Sequence, residues 1–128
     1  MFKRSSRIRQ KLVIEQELIF DLIALWFAGF MIINFWKYNS FLTLSLLLVW
    51  LIAIRLWYEK EDILIFGFGA LLGSIGEINC IAFGIWTYSN PNMLWIPTWL
   101  PFLWGFVSVI IKRVYITMDQ NRLFFRLK

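Results

Sequence analysis

Four long apolar stretches dominate the chain, and short polar segments separate them. The stretches cover about residues 18–36, 41–58, 63–88 and 95–111. Each is close to the roughly 20 residues that a helix needs to cross the roughly 30 Å hydrocarbon core of a bilayer. None alternates between apolar and polar residues in the way that membrane strands do. The pattern predicts an all-α fold, a four-helix transmembrane bundle that forms one integral membrane domain over residues 1–128.

The composition supports this interpretation. Hydrophobic residues make up 60% of the chain and charged residues only 16%, whereas charged residues make up about 25% of an ordinary soluble domain. A soluble domain of this size has too little interior to hide so much apolar surface. The composition therefore excludes an ordinary soluble enzyme, a disordered tail and a nucleic-acid-binding domain. We expect membrane lipids as partners, with another membrane protein or self-association as further alternatives.

The basic residues are distributed unevenly around the four stretches. The chain has 13 of them. Only Lys37 lies in the first turn, whereas the others precede the first stretch, flank the second turn or follow the fourth stretch. Basic residues concentrate on the cytoplasmic side of membrane proteins. The distribution predicts a multi-pass protein of the inner (plasma) membrane with both termini in the cytoplasm.

The chain lacks the residues that most catalytic and metal sites require. It has no histidine and a single cysteine, Cys80. These counts exclude an intrachain disulfide, a multi-cysteine metal site and any nucleophile activated by histidine. No phosphate-binding loop is recognisable either. We therefore expect no metal and no cofactor, and a non-enzymatic protein is favoured over an enzyme.

The third stretch carries small residues and one acid at helical spacing. At 3.6 residues per turn they fall on one helix face. Small residues allow another helix backbone to approach closely, which predicts a packing groove. The alternative is a groove left open for a lipid or prenyl chain. The residues of this face are Gly69, Gly73, Gly76, Glu77, Cys80 and Gly84.

Glu77 is the candidate catalytic residue. It lies 14 residues after Ile63, about 21 Å along a helix and past the membrane midplane. Depth matching places Trp26, Trp50 and residues 105–108 beside it, and none of these is basic. Either Glu77 is neutral and hydrogen-bonded to Ser108, Asn79 or an indole N–H, or it is ionised and holds a cation or a proton in transit.

A second acid, Asp21, lies at a different depth. It is only about three residues into the first stretch, roughly 5 Å from the cytoplasmic edge. Glu77 is therefore roughly 16 Å deeper, too far for two carboxylates that act on one bond. Arg55 lies at the depth of Asp21 on the second stretch. The sequence predicts a structural ion pair between Asp21 and Arg55.

Aromatic residues crowd the segment between the third and fourth stretches. Tryptophan and tyrosine favour the boundary between water and lipid, so an interfacial anchor or a shallow site for a lipid or sugar is expected. Thr98 is placed to cap the fourth helix, which should begin near it. The basic segment 1–12 and the amphipathic tail 114–128 flank the bundle. The candidate aromatic binding residues are Trp86, Tyr88, Trp95, Trp99 and Trp104.

Three short motifs carry a family resemblance. They are an acid after a Leu-Gly segment (72–77), Gly-x-Trp-x-Tyr (84–88) and Ile-Pro-Thr-Trp-Leu-Pro-Phe-Leu-Trp-Gly (96–105). Together they resemble a signature of small four-span prokaryotic membrane proteins of uncharacterised function. A fainter similarity is to the membrane carotenoid-hydratase family, which also has an intramembrane acid before a segment with proline and tryptophan. The first resemblance implies a fold and a membrane location, and no reaction.

Three functional hypotheses follow. The first is a small integral membrane protein that binds a lipid-like molecule or a partner membrane protein, with Gly73, Gly76 and the aromatic residues forming the site. The second is a membrane enzyme in which Glu77 donates a proton to a C=C bond of an isoprenoid or lipid. The third is a proton or cation pathway through Glu77, which requires an oligomer because four helices leave little room.

Overall fold

Four helices account for most of the chain, as the apolar pattern predicts. The computed structural model describes the backbone of residues 2–126 and the side chains of residues 9–122. Each helix contains a stretch that is long and apolar enough to cross a membrane. The all-α prediction with four candidate spans is therefore confirmed. The helices are α1 (Phe2–Phe35), α2 (Asn39–Leu56), α3 (Lys60–Ala82) and α4 (Leu100–Arg126).

The third apolar stretch is not helical over its whole predicted length. α3 ends at Ala82, although the stretch was expected to extend to Tyr88. The reason is Gly84, which has a φ of 73°, a conformation that other residues adopt with strain. The N–H groups of Gly84 and Ile85 donate to carbonyls of the last helical turn, as in a Schellman motif. The chain then continues without helix through residues 83–99.

The fourth helix begins slightly later than the sequence predicts. α4 starts at Leu100, two residues after Thr98, because residues 97–99 form a turn instead. The Leu100 N–H donates to the carbonyl of Pro97, 3.1 Å away. Pro101 is then the second helical residue, where a missing N–H costs little because these groups have no partner inside the helix.

The two flanking segments are continuations of helices rather than separate elements. α1 has 34 residues and α4 has 27, which correspond to lengths of about 51 Å and 40 Å. Both exceed the roughly 30 Å of a hydrocarbon core. From Phe2 onward the basic segment 1–12 is thus the start of α1, and the tail 114–128 continues α4 as far as Arg126. The side chains of residues 1–8 and 123–128 lie outside the described residues.

Close approach of α3 and α4 depends on glycines. A Cβ atom built on Gly73 would lie 2.3 Å from Cγ of Trp104. One built on Gly69 would lie 1.9 Å from the Ser108 hydroxyl oxygen. Gly76 has nothing within 4 Å of its Cβ position. The predicted packing face is therefore correct for Gly73 and wrong for Gly76, because Gly76 is exposed on a side of α3 that no neighbouring atom covers, although Trp104 of α4 contacts the adjacent Glu77.

An aromatic layer fills the middle of the bundle. The Trp50 and Phe66 rings stack with centroids 4.9 Å apart, which joins α2 to α3. Phe106 meets Phe66 edge-on at 5.3 Å, and Phe102 lies 6.3 Å from Phe66. Gly105 provides the space for the Phe66 ring, which lies 2.6 Å from its Cβ position. This layer separates the two ends of the bundle.

The two ends differ in the segments they carry. The loop end has the α1–α2 turn, residues 36–38, and the non-helical segment 83–99. The terminal end has the α2–α3 turn, residues 57–59, and the extensions of α1 and α4. Each end contains one cluster centred on an ionisable side chain, and the loop end also contains hydrogen-bonded asparagine and threonine side chains.

Candidate functional site

The polar cluster at the loop end is centred on Glu77. One carboxylate oxygen, Oε2, accepts hydrogen bonds from the Trp86 indole N–H and the Tyr88 hydroxyl, both at 3.0 Å. The other, Oε1, accepts one from the Trp104 indole N–H at 3.2 Å. Three neutral donors therefore converge on one acid. We call Glu77, Trp86, Tyr88 and Trp104 the Glu77 cluster.

The backbone explains why these four residues meet. Glu77 lies about 8 Å and Trp104 about 6 Å from the loop-end termini of their helices. Gly73, one turn before Glu77, leaves the space that the Trp104 ring occupies. The reversal at Gly84 then directs the chain back, which brings Trp86 and Tyr88 over the acid. Gly73 thus contributes to the site by admitting Trp104.

Within the described part of the chain, Glu77 has no basic partner. Among the side chains of residues 9–122, no lysine or arginine forms an ion pair with it. An indole N–H, which was one of the predicted hydrogen-bond partners of Glu77, does contact the acid. The expected neighbour Trp26 instead points outward and is highly exposed. Ser108 donates to the carbonyl of Trp104 and not to Glu77.

Tyr88 is the hydroxyl donor of the Glu77 cluster. Burial, together with the hydrogen bond to Glu77 and its charge, raises the pKa of the Tyr88 hydroxyl above its usual range. The Tyr88 ring also lies edge-on to Trp99, with centroids 6.5 Å apart. The Trp99 indole donates to Asn39 Oδ1 at 3.1 Å. Trp99 therefore packs against Tyr88 and does not form a hydrogen bond with Glu77.

The remaining predicted binding residues are not part of the cluster. Trp95 lies at the exposed tip of a turn in the 83–99 segment. Gly76 is exposed and has no neighbour at its Cβ position. The sequence thus identified the acid and three aromatic donors, and the structure adds that only three of the five predicted aromatic residues contact it.

A second polar cluster lies at the terminal end and is centred on Arg113. Its guanidinium group forms ion pairs with Glu17, Asp21 and Asp62. Lys112 also pairs with Asp62 at 2.8 Å. The side chains of Asp21 and Asp62 are 1% exposed and that of Arg113 is 5% exposed. We call these five residues the Arg113 cluster.

The predicted pairing of Asp21 with Arg55 is wrong. Asp21 pairs with Arg113 and accepts a hydrogen bond from the Trp57 indole N–H at 2.8 Å. Arg55 is exposed and has no ion pair among the described residues. Arg55 lies at a suitable depth, but its side chain is exposed, whereas α4 packs directly against α1. Depth along the helices therefore did not decide the partner.

Sequence reasoning missed Asp62 and Arg113 as members of one cluster. Arg113 was interpreted only as a topology signal, and Asp62 lies in a stretch of charges beside a turn. Asp62 is also the N3 residue of α3, and its side chain accepts the N–H of Glu59 in a capping box. The available signal was that Lys112 and Arg113 follow the fourth apolar stretch directly, at the depth of Asp21.

The two clusters are far apart. Asp62 and Glu77 are separated by 15 residues of α3, or about 22 Å. The aromatic layer of Trp50, Phe66 and Phe106 occupies the bundle between them. The structure therefore gives no continuous chain of polar side chains from one end to the other among the described residues.

Comparisons with known protein families, with curated proteins and with solved structures find no significant match.

Proposed function

We propose that this protein is a non-enzymatic, multi-pass membrane protein that binds a lipid-like amphiphile at its loop end, with the Glu77 carboxylate receiving a primary ammonium head group. The observation that carries the proposal is an acid with three neutral hydrogen-bond donors and no cationic partner among the described residues. The positive-inside rule assigns the loop end to the outer leaflet.

The hydrogen-bond inventory of Glu77 supports a ligand with N–H groups. A carboxylate offers about four acceptor positions. The Trp86 and Tyr88 donors occupy two of them on Oε2, and Trp104 occupies one on Oε1. One position on Oε1 is left for a further donor. An ammonium group supplies both that hydrogen bond and the missing positive charge.

The cost of an unbalanced charge favours a cationic ligand. Charged groups near a hydrocarbon phase are costly unless they are paired or hydrogen-bonded. Hydrogen bonds to an ionised group contribute about 1.5–3 kcal/mol each, so the three donors offset part of this cost without removing the charge. Glu77 is half-buried and the Trp86 side of the cluster is exposed. A head group can therefore reach the acid from the lipid boundary.

The surface around the cluster suits the apolar part of such a ligand. Phe83 and Ile85 precede Trp86, and both are highly exposed. They lie next to the Glu77 cluster along the chain and face outward at the same end of the bundle. Acyl chains of a bound amphiphile would lie along this apolar surface.

Two alternatives receive less support from the geometry. A proton-donating Glu77 could present its O–H only at the single open position on Oε1, because three donors already occupy the other positions of the carboxyl group. A proton or cation pathway must link the two ends of the bundle, yet an aromatic layer lies between the Glu77 and Arg113 clusters. Both features favour binding over catalysis or conduction.

The test measures lipid retention by the purified wild-type protein. The protein is extracted in mild detergent and offered phosphatidylethanolamine, phosphatidylcholine and phosphatidylglycerol in equal amounts, and bound lipid is counted by native mass spectrometry. We expect phosphatidylethanolamine to be retained preferentially, because its ammonium group has N–H donors. Phosphatidylcholine has the charge without the donors. Equal retention of the three lipids would refute the proposal.

A matched pair of variants then locates the effect. Glu77→Gln removes the charge at the cluster, whereas Asp119→Asn removes an equal charge from an exposed position on α4. Helical content by circular dichroism and elution volume establish that each variant is folded. We expect only Glu77→Gln to lose the preference for phosphatidylethanolamine. An identical preference in a folded Glu77→Gln variant would show that the acid does not bind the head group.

A further inference from the structure

The loop-end segment 83–99 contains a tight hairpin whose tip has an unusual backbone. Met93 and Ile96 exchange two backbone hydrogen bonds, each 2.9 Å long. The two residues between them, Leu94 and Trp95, have φ angles of 46° and 68°. Two central residues with positive φ are the arrangement of a type I′ turn. Both tip residues are large and apolar.

These residues are poorly suited to the backbone they adopt. Type I′ turns prefer Asn-Gly, Asp-Gly or Gly-Gly, because glycine has no Cβ and the short Asn and Asp side chains tolerate positive φ. Leucine and tryptophan have neither property, so the turn is strained. Strained conformations persist where the surroundings fix them, and they cluster at functional positions.

The rest of the segment holds the tip in place. Ile96 is fully buried in the bundle core. The Asn92 side chain accepts the N–H of Thr98 at 2.9 Å, which clamps the two arms of the hairpin together. The Thr98 hydroxyl in turn shares a hydrogen bond of 2.7 Å with Thr43 on α2. The tip is therefore presented from a rigid base.

The tip is also the most exposed apolar part of this hairpin. Leu94 is 72% exposed and Trp95 is 61% exposed. The whole segment 83–99 contains no charged residue, although a loop in water normally carries charge. It connects the C-terminal end of α3 to the N-terminal end of α4, and both helices are long enough to cross a membrane. Its position is thus at the boundary where tryptophan is favoured and leucine reaches hydrocarbon.

The geometry points to a membrane-docking element in which the Leu94–Trp95 tip inserts into the lipid leaflet beside the loop end. Its partner is the lipid surface itself, because an uncharged, aromatic-rich segment matches the boundary between head groups and acyl chains. The strained turn achieves what an Asn-Gly turn cannot, since it places two large apolar side chains at the tip. This element is independent of the ligand of Glu77, because neither tip residue contacts that acid.

The test measures the depth of the tip in a bilayer. Cys80→Ala supplies a cysteine-free background, and single cysteines at Leu94, Trp95 and Ser89 carry a nitroxide label in phosphatidylcholine nanodiscs. Ser89 is an exposed polar position of the same segment and serves as the control. Collision with oxygen, which concentrates in lipid, is compared with collision with a water-soluble nickel chelate.

We expect the ratio of oxygen to nickel accessibility to be several-fold higher at Leu94 and Trp95 than at Ser89. Ratios at Leu94 and Trp95 that are as low as those of water-exposed labels would mean that the tip lies in water and would overturn the inference. Immobile labels that are shielded from both reagents would indicate a protein interface instead, which would also overturn it. Neither result depends on which lipid binds Glu77.

A second variant separates the apolar side chains from the shape of the turn. Leu94→Asn combined with Trp95→Gly installs residues that favour positive φ, so the hairpin should be retained. A label at Met93 then reports the position of the arm. We expect this label to become more accessible to the nickel chelate than in the wild-type background. Unchanged accessibility would show that the tip residues do not hold the segment in the membrane.

Discussion

Replacing Arg113 should cause the largest single loss of stability in this protein. Arg113→Met keeps an unbranched, flexible side chain and removes the cation that faces Glu17, Asp21 and Asp62. Asp62 would retain Lys112 as a partner. Asp21, which is 1% exposed, would retain only the Trp57 hydrogen bond.

The magnitude follows from burial of the remaining charges. Removing one partner of a buried ion pair typically costs about 3–5 kcal/mol, because an uncompensated charge is left behind. Since Asp21 loses its ion partner and Glu17 is mostly buried, we expect a loss within that range of about 3–5 kcal/mol. Arg55→Met is the matched control, because Arg55 is exposed and surface changes are usually within about 0.5 kcal/mol.

The assay is reversible unfolding by dodecyl sulfate in mixed micelles, followed by tryptophan fluorescence and circular dichroism. A double-mutant cycle between Asp21→Asn and Arg113→Met should give a coupling free energy of about 1–3 kcal/mol, as expected for groups in contact. The cycle between Asp21→Asn and Arg55→Met should give about zero. An Arg113→Met variant as stable as the wild type, or a larger coupling to Arg55, would refute the assignment of Arg113 as the partner.

Three further predictions concern the loop end and the topology. Gly73→Leu should lower the free energy of unfolding by about 1–3 kcal/mol, because the new side chain would clash with Trp104. Gly76→Leu should change it by no more than about 0.5 kcal/mol. Equal losses for the two variants in the same unfolding assay would contradict this prediction. Glu77→Gln should lower the free energy of unfolding by about 1 kcal/mol, because its amide N–H₂ would face one of the donors. Glu77→Leu should lower it by about 2–3 kcal/mol, because three donors lose their acceptor. A larger loss for Glu77→Gln than for Glu77→Leu would contradict the hydrogen-bond assignment. A reporter that is active only outside the cytoplasm, fused after Lys128, should stay silent, and activity there would reverse the topology.

The sequence by itself determined the class of fold. The number of helices, their approximate positions and their apolar character follow from hydrophobic stretches near the length of a membrane span. Proline also marked a boundary, since Pro101 lies in the first turn of α4, whereas Gly84, which the spacing placed on a helix face, instead ends α3. The error at 83–88 arose because apolarity alone does not separate a helix from an apolar interfacial segment.

The sequence also identified Glu77 as the acid of interest. Its isolation from basic residues follows from spacing along α3, which fixes depth to within a helical turn. The choice of Trp86, Tyr88 and Trp104 as its donors did not follow from spacing. It depended on the chain reversal at Gly84 and on the rotation of α4, which turns Trp104 toward Gly73.

Only the tertiary structure decided which charges pair. Asp21 was matched to Arg55 because both lie at one depth. Depth is only one of three spatial coordinates, and two charges must agree in all three to form an ion pair. The packing of α4 against α1 places Arg113 on Asp21 and leaves Arg55 exposed. The same limit applies to Gly73 and Gly76, which share a helix face in sequence. Periodicity fixes the direction in which each glycine points, whereas the path of the neighbouring helix decides which of them is covered.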